Sequence, residues 1–294
     1  MKDKNPRLPE INPGKPDELL YDLPFEEYLA DNTCVSSSGL KKVAESPLHF
    51  LWHISGEVPD EDTEPLRFGR AAHMMILEPE KFRELYVVQP DFGAMQSPKN
   101  KAIRDEWRAG LPADAVIVTQ KDLDSLTYMV ESLMSHPQAS NFFKAGRPEV
   151  TGKFTDPTTG IRCRIRPDYL TQMSDGGLFL FDLKTTRMDT KGLFANDAAK
   201  RKYPMQLAFY RDGIAQITKK QLQAVALVAI EKNPPYSCWV YWLTEEDLAV
   251  GSAWNKKQLL RLKDAIENDK WEPPQPEGEI LNMPSWFRTE SFYE

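Results

Sequence analysis

Cysteine is scarce in this chain of 294 residues: there are three, Cys34, Cys163 and Cys238, far apart in the sequence. An odd, scattered set fits neither a disulfide framework nor a cysteine-based metal site, and it points to a reducing, cytoplasmic compartment. No apolar run of about 18 residues occurs, so no membrane helix is expected. The opening stretch MKDKNPRLPEINPGKP lacks the apolar segment of a secretory signal. There is no G-x-x-x-x-G-K-[ST], which argues against a fused ATPase or helicase. An excess of positive charge is missing too. Lys and Arg number 37 against 44 Asp and Glu, a formal charge of −7 that on its face speaks against a protein that coats nucleic acid. The remainder, 41% hydrophobic and 28% charged, is the composition of a folded chain with a sizeable core, as one large domain or two small ones.

The chain changes character along its length. Residues 1–34 are polar and proline-bearing and read as an arm that packs on its own body or on a neighbour. Ser36 and Ser38 are N-cap candidates for a helical stretch that Pro47 splits in two. Residues 56–65 read as an acidic loop, and a helix from Leu66 is expected to end near Pro79. A short strand over Tyr86–Gln89 and two helices, one to about Ala109 and one over Lys121–Ser135, follow. In the centre, Glu149–Phe154, Gly160–Leu170 and Leu178–Lys184 read as three successive strands joined by DPTTG and SDGG turns. One helix is expected over about Ala195–Ile217, then strands Gln223–Glu231 and Tyr236–Leu243, then a helix capped by Thr244. The tail from Trp271, proline-rich and aromatic, is expected to lie in a surface groove. This order gives an α/β fold, a mixed α+β sheet flanked by helices.

The sharpest chemical signal is Arg166-Pro167-Asp168 on one strand and Asp182-Leu183-Lys184 on the next. Side chains alternate along a strand, so Asp182 and Lys184 share a face. Asp182 ends an otherwise apolar run, where a charge is costly unless paired or metal-bound. If the strands are neighbours, two carboxylates and an ammonium meet at one end of the sheet. Mg²⁺ takes such oxygens together with substrate phosphate, and a second ion about 3.5–4 Å away would clamp both the attacking and leaving oxygens. Lys184 would orient or deprotonate the water, or neutralise developing charge. A plain cross-strand ion pair is the other account of D-x-K taken alone.

SSSGLKKVAESPLHF, FGRAAHMMILEPEKF, CRIRPDYL, FDLKTT and YPMQLAFY, in that order, together resemble the PD-(D/E)xK nuclease superfamily and, within it, the RecE and lambda-exonuclease type of phage recombination exonuclease. The resemblance covers about Val35 to Leu243. It implies a restriction-endonuclease-like core, with an arm over 1–34, a single exonuclease domain over 35–270 (catalytic core about 66–243) and a tail over 271–294. It implies that Asp168, Asp182 and the Leu183 carbonyl ligate metal with His73, that Lys184 is the catalytic lysine, and that Gln206 and Tyr210 of the Q-x-x-x-Y motif contact the scissile phosphate or its water. A ligand set mixing histidine and carboxylate shifts the preference towards Mn²⁺, although Mg²⁺ still fits, with two ions per site. Glu149 either contacts the metal or is a surface carboxylate. Ser36, Ser38 and Lys41 either form a 5′-phosphate pocket or simply start a helix.

The resemblance further implies 5′→3′ digestion of linear double-stranded DNA to 3′ overhangs, a ring of three or four subunits, and a single-strand annealing protein as partner. A RecB-like or CRISPR-associated nuclease of other polarity shares the fold, though scattered cysteines speak against an iron–sulfur branch. A non-catalytic DNA-end-binding protein is the alternative from another class. Arg162, Arg164, Arg166 and Lys202 are the expected DNA contacts, with Lys200 and Arg201 behind them; such runs are otherwise ordinary solvated faces, a reading that suits Lys219-Lys220 better than the arginines. Leu66, Phe68, Met74 and Met75 are either core or an apolar wedge. His49 and His53 are four apart, but no Glu stands between them to make H-E-x-x-H, so packing explains them better.

Overall fold

The computed structural model describes residues 6–56, 63–94, 96–143, 146–172, 176–273 and 280–283. Most of the expected acidic loop and tail lies outside these. The amino-terminal part comprises β1 (Glu18–Leu20), α1 (Phe25–Ala30), α2 (Ser37–Glu45), α3 (Pro47–Ser55), α4 (Glu64–Leu77), α5 (Pro79–Leu85) and β2 (Tyr86–Val88). Next come α6 (Pro98–Ala109), β3 (Val116–Val118), α7 (Gln120–Ser135), α8 (Ala139–Phe142), β4 (Gly146–Pro148), β5 (Thr151–Thr155) and β6 (Arg162–Ile165). The carboxy-terminal part holds β7 (Tyr169–Gln172), β8 (Leu178–Thr186), α9 (Lys191–Lys200), α10 (Tyr203–Thr218), β9 (Leu222–Glu231), β10 (Cys238–Trp242) and α11 (Glu245–Glu267).

The main sheet is five-stranded in the order β10-β9-β8-β7-β4 and mixed, with β8 and β9 parallel and the other pairs antiparallel. Parallel neighbours need a crossover, which α9 and α10 supply. β8 and β9 are apolar on both faces because helices cover both. Leu178 and Leu180 point into the core under α10, while Phe181 and Leu183 point into a second core with Ala71 and Ala72 of α4 and Leu126 and Met129 of α7. Alternation therefore places Asp182 and Lys184 on the α10 side.

The three central strands do not form one run. Pro167 has no N–H to donate, and the expected Gly160–Leu170 strand is divided there into β6 and β7. β5 and β6 join β1 in a separate three-stranded sheet against α10. The approach is close at Gly213 of α10, where a Cβ would stand 2.6 Å from a ring carbon of Phe154. The expected Ala195–Ile217 helix is likewise two helices. Lys202 takes a left-handed backbone (φ 58°) and Pro204 lies in the first turn of α10, so the chain turns between α9 and α10.

The arm packs on its own body. Glu18 of β1 pairs with Lys153 of β5, and Asp17 Oδ1 accepts from the Thr155 amide at 2.9 Å. Pro47 separates α2 from α3, and each has a serine cap: Ser36 Oγ accepts from Gly39 N at 3.2 Å and Ser46 Oγ from His49 N at 3.1 Å. Among the described residues no helix is long and apolar enough to cross a membrane.

Candidate active site

β7 and β8 run antiparallel with Tyr169 opposite Phe181, and continuing that register by one residue sets Asp168 opposite Asp182. Pro167 ends the pairing of β6, so Asp168 enters β7 at the carboxyl-terminal end of β8. Its Oδ2 accepts a 2.6 Å hydrogen bond from the Leu183 amide. Asp182 is fully buried, and its Oδ2 forms an ion pair with Lys184 Nζ. From α10, Gln206 Nε2 donates to Asp182 Oδ1 at 3.2 Å and to Tyr210 Oη at 3.1 Å, as the spacing of four residues allows. From α4, His73 Nδ1 stands 3.6 Å from Asp168 Oδ2, and its ring lies against the Leu183 backbone.

Glu149 links the two sheets. Its left-handed backbone (φ 52°) is unusual outside glycine, and it is held by a 3.0 Å bond from its amide to the Asp168 carbonyl. Its carboxylate accepts from Arg166 Nε at 2.6 Å. Asp168, Glu149, His73, Lys184, Gln206 and Tyr210 all line one cavity of about 770 Å³. Ser36, Ser38 and Lys41 line it as well. Ser36 Oγ caps α2 and lies 2.8 Å from Ser38 Oγ, and Lys41 Nζ donates to Gln206 Oε1 at 3.5 Å.

Burial shapes the electrostatics. It raises the Asp168 pKa, and the Asp182 carboxylate raises it further. Glu149 is pushed up to about 7 by burial and by Asp168, against the pull of Arg166. His73 falls to about 4 through burial and the nearby Lys184, so its imidazole is neutral at pH 7 and free to donate a lone pair. Burial opposes the charge on Lys184, but Asp182 and Asp168 outweigh it and the pKa is raised. Lys41 drops to about 8 through burial and repulsion from Lys184.

As the side chains are oriented, no three His, Cys, Asp or Glu among the described residues stand close enough together to grip an ion. The donor set still suits one in its chemistry. Asp168, Asp182 and the Leu183 carbonyl offer hard oxygens, His73 a neutral nitrogen and Glu149 a further carboxylate, which matches Mg²⁺ or Mn²⁺. Desolvated carboxylates facing one another are relieved by a divalent cation.

The arginines expected to face DNA do something else. Arg162 is 1% exposed, and its guanidinium donates to Pro16 O at 2.6 Å and Thr155 Oγ1 at 3.2 Å. Arg164 donates to the carbonyls of Asp31 and Leu29 and lies over the Tyr28 ring. Both anchor the arm, because their strand face is covered by residues 16–31 rather than by solvent. Arg166 reaches the cavity edge, but it is engaged by Glu149, Leu23 O and Thr151 Oγ1. Lys202 does not line the cavity; it lies over Trp254. Of the wedge candidates, Leu66 and Met74 line the cavity, whereas Phe68 and Met75 pack on the second core. Sequence reasoning missed Tyr203, whose ring carries Lys184 Nζ at 4.9 Å and Lys41 Nζ at 6.0 Å from its centroid. Its signal was its place three residues before Gln206.

Residues 36–280 match the model of a family described as a PDDEXK-like domain of unknown function (DUF3799). The fold is similar to the crystal structure of a proposed exonuclease from Eubacterium rectale, with a TM-score of 0.58 at 16% identity over 93% of this chain and all of that one. The structure of SSO0001 matches at a TM-score of 0.30 and 16% identity, over 85% of this chain and 88% of that one, a likeness too slight to carry an argument. No curated protein sequence matches. With most of its length under that family model and its Asp168, Asp182 and Lys184 at one strand end, the chain belongs to this PDDEXK-like family and so to the PD-(D/E)xK nuclease superfamily.

Proposed function

We propose that the chain is a divalent-metal-dependent exonuclease that digests linear double-stranded DNA 5′→3′ and leaves 3′ single strands for annealing-type recombination. The observation that carries this is the meeting of Asp168, Lys184 and Gln206 at one cavity, with the buried Asp182 bonded to both Lys184 and Gln206 behind its wall, and with Lys41 and the serine-capped start of α2 on the same wall. A terminal 5′-phosphate fits beside Ser36, Ser38 and Lys41, where free amides and an ammonium favour an anion. The name of the Eubacterium rectale structure supports the exonuclease class.

In this reading Asp168, Asp182, His73 and the Leu183 carbonyl hold the ion, with Glu149 in reserve. A bound divalent ion would polarise the phosphodiester and acidify the attacking water. Gln206 orients that water or a phosphate oxygen, with Tyr210 fixing the amide. Lys184, an ammonium in this structure, neutralises charge that builds on phosphorus as the water oxygen adds and the O3′ leaves. A ring of three or four subunits and an annealing partner belong to the same proposal.

The test is digestion of linear duplex with Mg²⁺ or Mn²⁺ against EDTA, using Asp182→Ala and Lys184→Ala as controls. DNA left intact in the presence of either metal would sink the enzyme reading. Blunt duplexes labelled at one end or the other give the polarity, and release of the 3′ label first would overturn the direction proposed.

A further inference from the structure

With Arg162 and Arg164 engaged by the arm, the strand face expected to bind DNA is closed, yet the cavity has its own cations. Beyond Lys184, β8 ends at Thr186 and the next residue, Arg187, lines the cavity mouth. Arg187 is exposed and makes no ion pair or hydrogen bond among the described residues. A strand rises about 3.3 Å per residue, so Arg187 lies about 10 Å from Lys184, within a few nucleotides of a phosphate held there.

Lys232 lines the same mouth from the end of β9. Its amide donates to Thr186 O at 2.8 Å, which fixes it beside Arg187. Its Nζ donates to Pro65 O at 3.1 Å and lies 5.8 Å from the Phe68 ring centroid, with no carboxylate partner among the described residues. Arg201, bonded to Asp197, lines the same cavity within electrostatic reach of both Lys232 and Lys41. Repulsion from Arg187 and Arg201, after burial, lowers the Lys232 pKa, which places the three cations within electrostatic reach of one another. Apolar side chains line the same cavity, Phe25 and Leu29 of α1 and Leu66 and Met74 of α4, with Phe25, Leu29 and Leu66 about half exposed (48%, 49% and 48%). A cleft that offers both cations and exposed apolar side chains suits a nucleic-acid strand, which presents phosphates and bases together.

We propose that Arg187 and Lys232 form a phosphate-binding station for the DNA strand as it leaves the scissile position on the side away from Lys41. This rests on the nuclease reading and adds the path of the strand to it. Two phosphate contacts steepen the salt dependence of binding to single-stranded DNA by about 0.7 each.

The experiment measures fluorescence anisotropy of a labelled, 5′-phosphorylated single-stranded oligonucleotide in EDTA, at several salt concentrations. Arg187→Gln removes an exposed charge, and Lys232→Met keeps the aliphatic contact with Phe68. The double variant is expected to lose about 1.4 from the slope of log K against log salt. Lys219→Met with Lys220→Met removes the same net charge beyond the far end of the 16-residue α10 and is expected to leave the slope as it was. Equal losses in both double variants, or no loss in the first, would overturn the station. A wild-type chain that neither binds nor digests DNA would instead overturn the nuclease reading on which it rests. A wild type that digests duplex normally while Arg187→Gln keeps the full slope refutes the station alone.

Discussion

The Leu183 amide donates a 2.6 Å hydrogen bond to Asp168 Oδ2, and with the pairing of β7 and β8 this contact ties the PD half of the motif to its DxK half. It holds the Asp168 carboxylate next to Asp182 and out of water, where burial and the Asp182 carboxylate both raise the cost of charging Asp168. Removing one charge is then expected to act oppositely at the two positions. Without metal, Asp168→Asn relieves repulsion and raises the unfolding midpoint, while Asp182→Asn strands the Lys184 ammonium and lowers it. Thermal unfolding in EDTA checks this, and a fall in both variants would contradict it. Nuclease activity is expected to drop in both, on the order of 10²–10³-fold, as when a group that stabilises transition-state charge is lost.

The Asp182–Lys184 pair gives a second test. Breaking a buried ion pair by removing one partner costs about 3–5 kcal/mol, whereas replacing both is often close to neutral. Lys184→Met and Asp182→Asn are therefore each expected to destabilise the chain, and the double variant by clearly less than their sum. Urea denaturation of the four proteins in EDTA measures the coupling. Additive losses would mean that the ammonium and carboxylate do not depend on each other.

Much of this geometry was legible because it follows from short periods. The alternation along Leu178–Lys184 placed Asp182 and Lys184 on one face, and the spacing of four put Gln206 and Tyr210 together, where both now reach the Asp182 carboxylate or its neighbour. Arg162, Arg164 and Arg166 stand two apart and so share a strand face, which is also readable from sequence, but that spacing does not say what covers the face. The cover proved to be backbone carbonyls of residues 16, 23, 29 and 31, acceptors that every sequence carries and none advertises. Arg187 and Lys232 escaped notice for the converse reason. Each is unremarkable in sequence, and only the parallel pairing of β8 with β9 brings them side by side.

The reassignment of Arg162 has its own consequence. Its guanidinium is buried and bonded to Pro16 O, Thr155 Oγ1 and, at 3.4 Å, Asp17 Oδ1. Arg162→Met is expected to cost on the order of 3 kcal/mol of stability, chiefly by leaving those acceptors unpaired. It is also expected to preserve the salt slope for oligonucleotide binding at temperatures where it stays folded. A reduced slope in a folded Arg162→Met would return this residue to the DNA-binding surface.

Stability without metal is expected to depend on pH in two windows of opposite sign. Glu149 rises from about 4.5 to about 7 on folding, so between these values the folded chain keeps a proton that the unfolded chain has lost. Unfolding free energy therefore falls as pH climbs through that window, and Asp168, shifted the same way, adds to the fall, while His73, lowered from 6.5 to about 4, offsets part of it below about pH 6.5. Lys41 drops from 10.5 to about 8, so from about pH 8 upwards the unfolded chain holds the extra proton and stability rises again. Urea midpoints in EDTA from pH 4.5 to 9.5 would trace the curve. Glu149→Gln is expected to flatten the lower limb and Lys41→Met the upper one. Saturating Mg²⁺ is expected to reverse the lower limb, because a cation favours the ionised carboxylates that the bare site disfavours. A lower limb unchanged in Glu149→Gln and unmoved by Mg²⁺ would place the titrating carboxylates outside the site.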